Sequence, residues 1–118
     1  MPQRVGGHIL LLDGDGPAIA QAADIVEAFH AEDADAARWV AVPITRLDPA
    51  FFDLRSGVAG DIAQACANYR IGLAIVGDIA GHRAASRPFA AFVRESERGR
   101  HIRFVADEAE LRTRLGNG

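Results

Sequence analysis

Residues 51–78 read FFDLRSGVAGDIAQACANYRIGLAIVGD, and this stretch decides the fold. Apolar side chains in its first part recur at intervals of three and four, which is the spacing of one side of a helix. We therefore predict a helix from about Gly57 to Asn68. The apolar run 71–76 then predicts a strand, and Gly77 and Asp78 predict a turn that leaves it. The predicted helical stripe consists of Phe52, Arg55, Ala59, Ile62, Cys66 and Tyr69.

Similar units lie on both sides of this stretch. Apolar runs at 8–12, 39–42 and 102–105 predict three further strands. Residues 19–30 and 88–99 carry apolar residues at helical spacing, the small polar stretch 80–87 predicts a loop, and Asp107 is a suitable cap for a last helix. Because strands alternate with helices, we predict one α/β domain over residues 1–118, with a four- to five-stranded, largely parallel sheet and flanking helices. The residues expected in its core are Phe52, Ile62, Cys66, Leu73, Ile75, Phe92 and Phe104.

The composition limits the classes of partner. Of the 118 residues, 49% are hydrophobic and 25% charged, as in an ordinary globular protein. All 13 basic residues are arginine, and the net charge of -3 leaves no positive excess for the phosphates of a nucleic acid. No apolar run approaches the roughly 20 residues that cross a bilayer. The single cysteine, Cys66, precludes an internal disulfide and fits a reducing compartment. We therefore expect a cytoplasmic protein that binds neither nucleic acid nor membrane.

Three carboxylates lie just beyond predicted strands: Asp13, Asp78 and Asp107. Such positions share one edge of a parallel sheet and can hold magnesium, but aspartate is also a common turn former and helix cap, which is the reading we favour. The segment Asp13-Gly14-Asp15 faintly resembles a phosphatase nucleophile motif, yet those enzymes also need a lysine, which this chain lacks. The four histidines form no short ligand pair. We expect neither a metal nor another cofactor.

The segment from Phe52 to Asn68 is the strongest candidate for a binding surface. An acid, an arginine and a hydroxyl stand at the entrance of the predicted helix, and two glycines allow close backbone approach. Free N–H groups at a helix start, together with Arg55, can receive an anion or a phosphorylated Ser56. The alternative is structural: Ser56 and Asp53 cap the helix and the glycines ease packing against a strand. The candidate residues are Phe52, Asp53, Arg55, Ser56, Gly57, Gly60, Asp61, Gln64, Asn68, Asp78, Arg94 and Glu95.

Three segments resemble a known family in their order and spacing. FFDLRSGVAGDIAQ, NYRIGLAIVGD and FVRESERG are similar to the small bacterial proteins of domain-of-unknown-function family 4180. The resemblance covers nearly the whole chain and is most specific from Phe51 to Val105. It implies no particular activity.

A more distant resemblance concerns the order of elements. An acid, a hydroxyl and a glycine that open a helix, followed by strand, helix, strand and terminal helix, are similar to the C-terminal two thirds of a STAS domain of the anti-sigma factor antagonist type. Such domains are compact α/β modules that bind a partner protein, and in several of them a loop serine is phosphorylated. STAS loops place two adjacent hydroxyl residues directly after the acid, whereas here Leu54 and Arg55 separate Asp53 from Ser56.

Two functions from different classes follow from these observations. The first is a non-catalytic, STAS-like regulatory module that binds a protein partner, or a second copy of itself, through the surface from Phe52 to Gly60. The second is a small-molecule or anion-binding domain, or an enzyme, that uses a crevice at the strand ends near Asp53, Asp78 and Arg94 or Glu95. The shape of the strand ends discriminates between them, because a small-molecule site needs a concave pocket with convergent polar groups.

Overall fold

Five strands form one sheet in the computed structural model, which describes residues 3–31 and 38–115. Their order across the sheet is their order in the chain, β1-β2-β3-β4-β5. The strand β1 is antiparallel to β2, and all other neighbours are parallel, so the predicted largely parallel sheet is confirmed. The strands are β1 (Gln3–Val5), β2 (Ile9–Leu11), β3 (Trp39–Pro43), β4 (Gly72–Val76) and β5 (Ile102–Val105).

In the part of the chain that the structure describes, five α-helices and three short 3₁₀ turns connect and cover the strands. The 3₁₀ turns lie between β3 and the second helix, at Ile44–Arg46, Pro49–Phe52 and Leu54–Ser56. The helices are α1 (Ala22–Ala31), α2 (Val58–Tyr69), α3 (Ala80–Ala85), α4 (Arg87–Arg98) and α5 (Glu108–Leu115).

The larger core lies on the sheet face that α1, α2 and α4 cover. Alternate residues of the central strands point to this face, because successive side chains of a strand leave it on opposite sides. Leu73 and Ile75 of β4 are buried there against Ile62 of α2 and Phe89 of α4. The strand residues that alternate with these, such as Ala74, point to the opposite face. There they pack with Leu111 of α5. Consequently the connections after β2, β3 and β4 lead to one face of the sheet, whereas the connection after β5 leads to the other.

The helix predicted at 57–68 is confirmed as α2. Its buried residues are Ala59, Ile62 and Cys66. Two positions of the predicted stripe are exposed instead: Arg55 precedes the helix in a 3₁₀ turn, and Tyr69, at 58% exposure, lies in its last turn. Of the seven predicted core residues, Phe52 and Phe92 are half-buried and the other five are buried.

Three local predictions were wrong or incomplete. The first helix begins at Ala22 rather than at Ile19, because the backbone of Ile19 pairs with Leu47 as an isolated bridge. Residues 80–85 form the helix α3 rather than a loop. The strand β1 was not predicted, because only Val5 of its three residues is buried and no apolar run marks it.

Candidate functional site

The candidate residues of α2 share its outward face. Gly60, Asp61, Gln64 and Asn68 are all exposed, and Gly57, just before the helix, is half-buried. The Gln64 side-chain amide donates a hydrogen bond to the Asn68 side-chain oxygen at 3.0 Å. Arg55 and Ser56 are exposed next to the first turn. We call the exposed residues from Arg55 to Asn68 the α2 surface. The structure thus brings together the segment that the sequence singled out.

The entrance of α2 is held by side-chain hydrogen bonds. The Arg55 N–H donates to the Asp53 carboxylate at 3.1 Å. The Ser56 hydroxyl lies 2.6 Å from the Ala50 carbonyl oxygen and 2.7 Å from that of Asp53, and it accepts from the Val58 N–H at 3.2 Å. Ser56 is therefore exposed, yet its hydroxyl also holds the backbone that leads into α2. Asp53 caps its 3₁₀ turn.

The two glycines of this segment differ in what the fold requires of them. Gly57 has a φ of 82°, a left-handed conformation that residues with a Cβ rarely adopt. Gly60 lies in the first turn of α2 with ordinary helical backbone, and a Cβ placed on it would meet nothing within 4 Å. The predicted role of Gly60 in packing against a strand is therefore wrong, and no contact in the described residues explains the glycine.

Phe52 joins the α2 surface to an aromatic cluster beneath it. Its ring lies edge-on to those of Phe51 and Phe89, with centroids 5.4 and 5.3 Å away. On its outer side, the exposed His82 of α3 stacks flat against it, with centroids 3.7 Å apart. Phe52 is thus half-buried between the core and α3.

The three carboxylates beyond the strands do not form a cluster. Asp78 accepts a hydrogen bond from the Ala80 N–H at 2.9 Å in the turn before α3, and Asp107 caps α5 by accepting from the Glu110 N–H at 2.8 Å. Asp13 lies on a separate depression with Glu108. Over residues 3–31 and 38–115, no group of three or more His, Cys, Asp or Glu could hold a metal ion.

The predicted strand-end crevice is divided in the structure. Asp78 and Arg94 line one open cavity of about 460 Å³. Asp53 lies on another depression, beside Arg55 and Arg87. Glu95 faces a different side of α4 and forms an exposed ion pair with Arg98 at 3.6 Å. Of the four residues proposed for this crevice, only Asp78 and Arg94 therefore meet.

Cys66 is fully buried in the larger core. Its burial raises the pKa of the thiol from 9.0 to about 12, because desolvation disfavours the thiolate. The neutral thiol is a poor nucleophile, so Cys66 is a core residue, as its place on the apolar stripe predicted.

Comparison with known proteins assigns the family. The profile of the domain of unknown function DUF4180 matches residues 4–115, nearly the whole chain. The chain belongs to the DUF4180 family. No curated protein matches it significantly, and no solved structure does. Within the described part of this DUF4180 domain, no helix is long and apolar enough to cross a bilayer.

Sequence reasoning missed two side chains of this DUF4180 domain that the structure makes prominent. Both belong to α3: His82, which covers Phe52, and Arg83, which lines the cavity with Asp78 and Arg94. The signal available in the sequence was Asp78, two residues before α3, because aspartate often caps a helix start. No apolar periodicity supported a helix there, since none of the residues of α3 is buried.

Proposed function

We propose that this DUF4180 domain is a non-catalytic regulatory module that binds a protein partner through the α2 surface. The observation that carries the proposal is Gly60. Glycine within a helix costs roughly 0.5–1 kcal/mol relative to alanine, and no contact of Gly60 offsets that cost. A glycine on an exposed helical face allows another backbone to approach α2 closely.

The neighbouring side chains suit a protein contact. Arg55 and Asp61 carry opposite charges, and Gln64 and Asn68 extend the same face with amide groups. Mixed polar groups of this kind form the hydrogen-bonding part of many transient interfaces. The order of elements supports the proposal further, because Asp53, Ser56 and Gly57 open α2, and β4, α4, β5 and α5 follow as in a STAS-like module, with the short helix α3 added after β4.

The outer edge of β5 is less accessible to a protein partner than the α2 surface. The Phe104 N–H donates to the Glu97 carboxylate at 3.4 Å, and the Phe104 carbonyl oxygen accepts from Arg114 at 3.2 Å. These side chains cover backbone groups to which an added strand would bind. A partner is therefore expected on α2 rather than on this edge.

The proposal is tested by placing one bulky residue on two exposed helical faces. Gly60→Arg adds a long side chain at the centre of the α2 surface, and Ala109→Arg adds the same side chain on α5, on the opposite side of the sheet. Partners are captured from the source cell on each immobilised variant and identified by mass spectrometry. We expect a partner that wild type and Ala109→Arg retain and Gly60→Arg loses.

Sedimentation of the three purified proteins distinguishes an unlike partner from a second copy. Loss of self-association in Gly60→Arg alone would identify a homo-oligomer on the same surface. If Gly60→Arg retains every partner and the oligomeric state of wild type, the α2 surface is not the binding site and the proposal fails. Circular dichroism of each variant verifies that it is folded.

A further inference from the structure

The cavity that Asp78 and Arg94 share arises from the topology of the sheet. In parallel sheets, a crevice opens at the carboxyl ends of two neighbouring strands when their connections leave toward opposite faces. The connection after β4 leads to α3 and α4 on the side of the larger core, and the connection after β5 leads to α5 on the other side. The chain therefore leaves the sheet in different directions at Gly77, after β4, and at Ala106, after β5. Both residues line the cavity. We call this cavity the β4–β5 crevice.

The size and walls of the β4–β5 crevice suit a small organic molecule. Its volume of about 460 Å³ falls within the range of roughly 300–1,000 Å³ that small-molecule sites occupy. Its apolar surface comes from Ile79 just before α3, Val93 of α4 and Phe104 of β5. These residues can therefore make hydrophobic contacts with the apolar part of a bound molecule.

The polar walls carry three arginines and three acids, and the acids are all engaged. Asp78 accepts a hydrogen bond from the Ala80 N–H, and Glu97 and Glu110 lie 3.4 and 3.5 Å from the guanidinium of Arg114. The lining arginine Arg98 pairs with Glu95. Two lining arginines, Arg83 and Arg94, have no side-chain hydrogen bond or ion pair with any residue that the structure describes. Arg83 comes from α3 and Arg94 from α4, so two elements present guanidinium groups to one space.

We propose that the β4–β5 crevice binds a small organic anion through Arg83 and Arg94. The guanidinium groups hold its carboxylate or phosphate by charge-assisted hydrogen bonds. Its apolar part packs against Phe104 and its neighbours. This site lies apart from the α2 surface, so it adds a ligand to the proposed function rather than restating it.

The proposal is tested with simple probes that separate charge from apolar contact. The ¹⁵N-labelled protein is titrated with phenyl phosphate, benzoate and, as the uncharged reference, phenol, and backbone amide shifts are followed by NMR at constant ionic strength. We expect saturable shifts at Gly77, Ala80 and Ala106 with one or both anions, with a dissociation constant on the order of 1 mM. The tighter of the two anions identifies the acidic group as phosphate or carboxylate.

Two double variants with the same change of charge provide the control. Arg83→Gln/Arg94→Gln is expected to weaken anion binding at least about tenfold, because charged hydrogen bonds are lost. Arg87→Gln/Arg100→Gln removes two exposed arginines that do not line the β4–β5 crevice and is expected to leave anion binding unchanged. Equal weakening by both variants, equal binding of phenol, or no saturable shift at 10 mM probe would each overturn the proposal. All four arginines are exposed, and a dispersed NMR spectrum verifies the fold of each variant.

Discussion

The imidazole ring of His82 lies flat on the phenyl ring of Phe52, with 8° between the ring planes. This stack connects α3 to the 3₁₀ turn Pro49–Phe52, which lies ahead of α2 in the chain. Since Arg83 follows His82 directly, the same contact positions one wall of the β4–β5 crevice. The two proposed sites therefore share a structural support, although they lie on different elements.

The stack predicts an asymmetric effect of two histidine substitutions. His82→Ala removes an aromatic contact with Phe52 and is expected to lower the free energy of unfolding by about 1 kcal/mol. His101→Ala removes an exposed histidine that has no ring contact with any residue the structure describes, and it is expected to change the free energy of unfolding by less than about 0.5 kcal/mol. Urea denaturation of the two variants and wild type measures both values. Equal losses would show that the stack contributes nothing specific.

The two glycines before and within α2 predict substitutions of opposite sign. Gly57→Ala forces a Cβ into a left-handed backbone and is expected to destabilise the domain by about 1 kcal/mol. Gly60→Ala adds helix propensity without a clash and is expected to stabilise it by about 0.5–1 kcal/mol. Thermal melts of the two variants and of wild type measure both changes in stability. Destabilisation by Gly60→Ala would mean that the fold itself requires this glycine, and the argument for a close-approaching partner would lose its basis.

The Ser56 hydroxyl is expected to contribute to stability despite its exposure. Ser56→Ala removes the hydroxyl that bonds the Ala50 and Asp53 carbonyl oxygens and the Val58 N–H, and should cost about 1 kcal/mol. Ser56→Thr keeps a hydroxyl at the same position and should recover most of that loss. Chemical denaturation compares the two. If both variants are as stable as wild type, the hydroxyl is free for another role.

The elements that the sequence predicted are those whose buried residues form a recognisable pattern. The spacing of Ala59, Ile62 and Cys66 reports the side of α2 that packs on the sheet, and the remaining positions then indicate its outward face. The apolar run at β4 is recognisable because nearly every residue in it is buried. The helix α3 buries no residue, and its His82 contacts the aromatic cluster from the surface, so no periodicity could reveal it.

The β4–β5 crevice could be predicted only in part. Asp78 was a candidate because it follows a predicted parallel strand, and Arg94, on the next predicted helix, was placed near it. Asp53 lies on the same side of the sheet but on another depression, and this separation follows from three-dimensional packing rather than from local pattern. Ile19 illustrates the same limit. Its apolar side chain is buried in the larger core, but its backbone forms a bridge with Leu47 and is not part of a helix.

Cys66 predicts how stability changes at high pH. Burial raises the pKa of its thiol to about 12, against 9.0 for an exposed thiol, so the folded protein keeps the proton over a range in which the unfolded chain loses it. The unfolded state binds fewer protons there, and the free energy of unfolding must fall as pH rises above 9. The expected loss from this group is about 2.5 kcal/mol by pH 11, whereas below pH 9 it contributes no pH dependence.

The measurement is the difference in unfolding free energy between wild type and Cys66→Ala, taken from pH 7 to pH 11. The variant loses packing at every pH but has no thiol to titrate, so other groups that ionise in this range cancel in the difference. The stability advantage of wild type is expected to shrink from pH 9 upward, and the native thiol is expected to react with a disulfide reagent only as fast as the protein opens. Parallel stability curves, together with rapid labelling of the folded protein at pH 8, would contradict a buried, neutral Cys66.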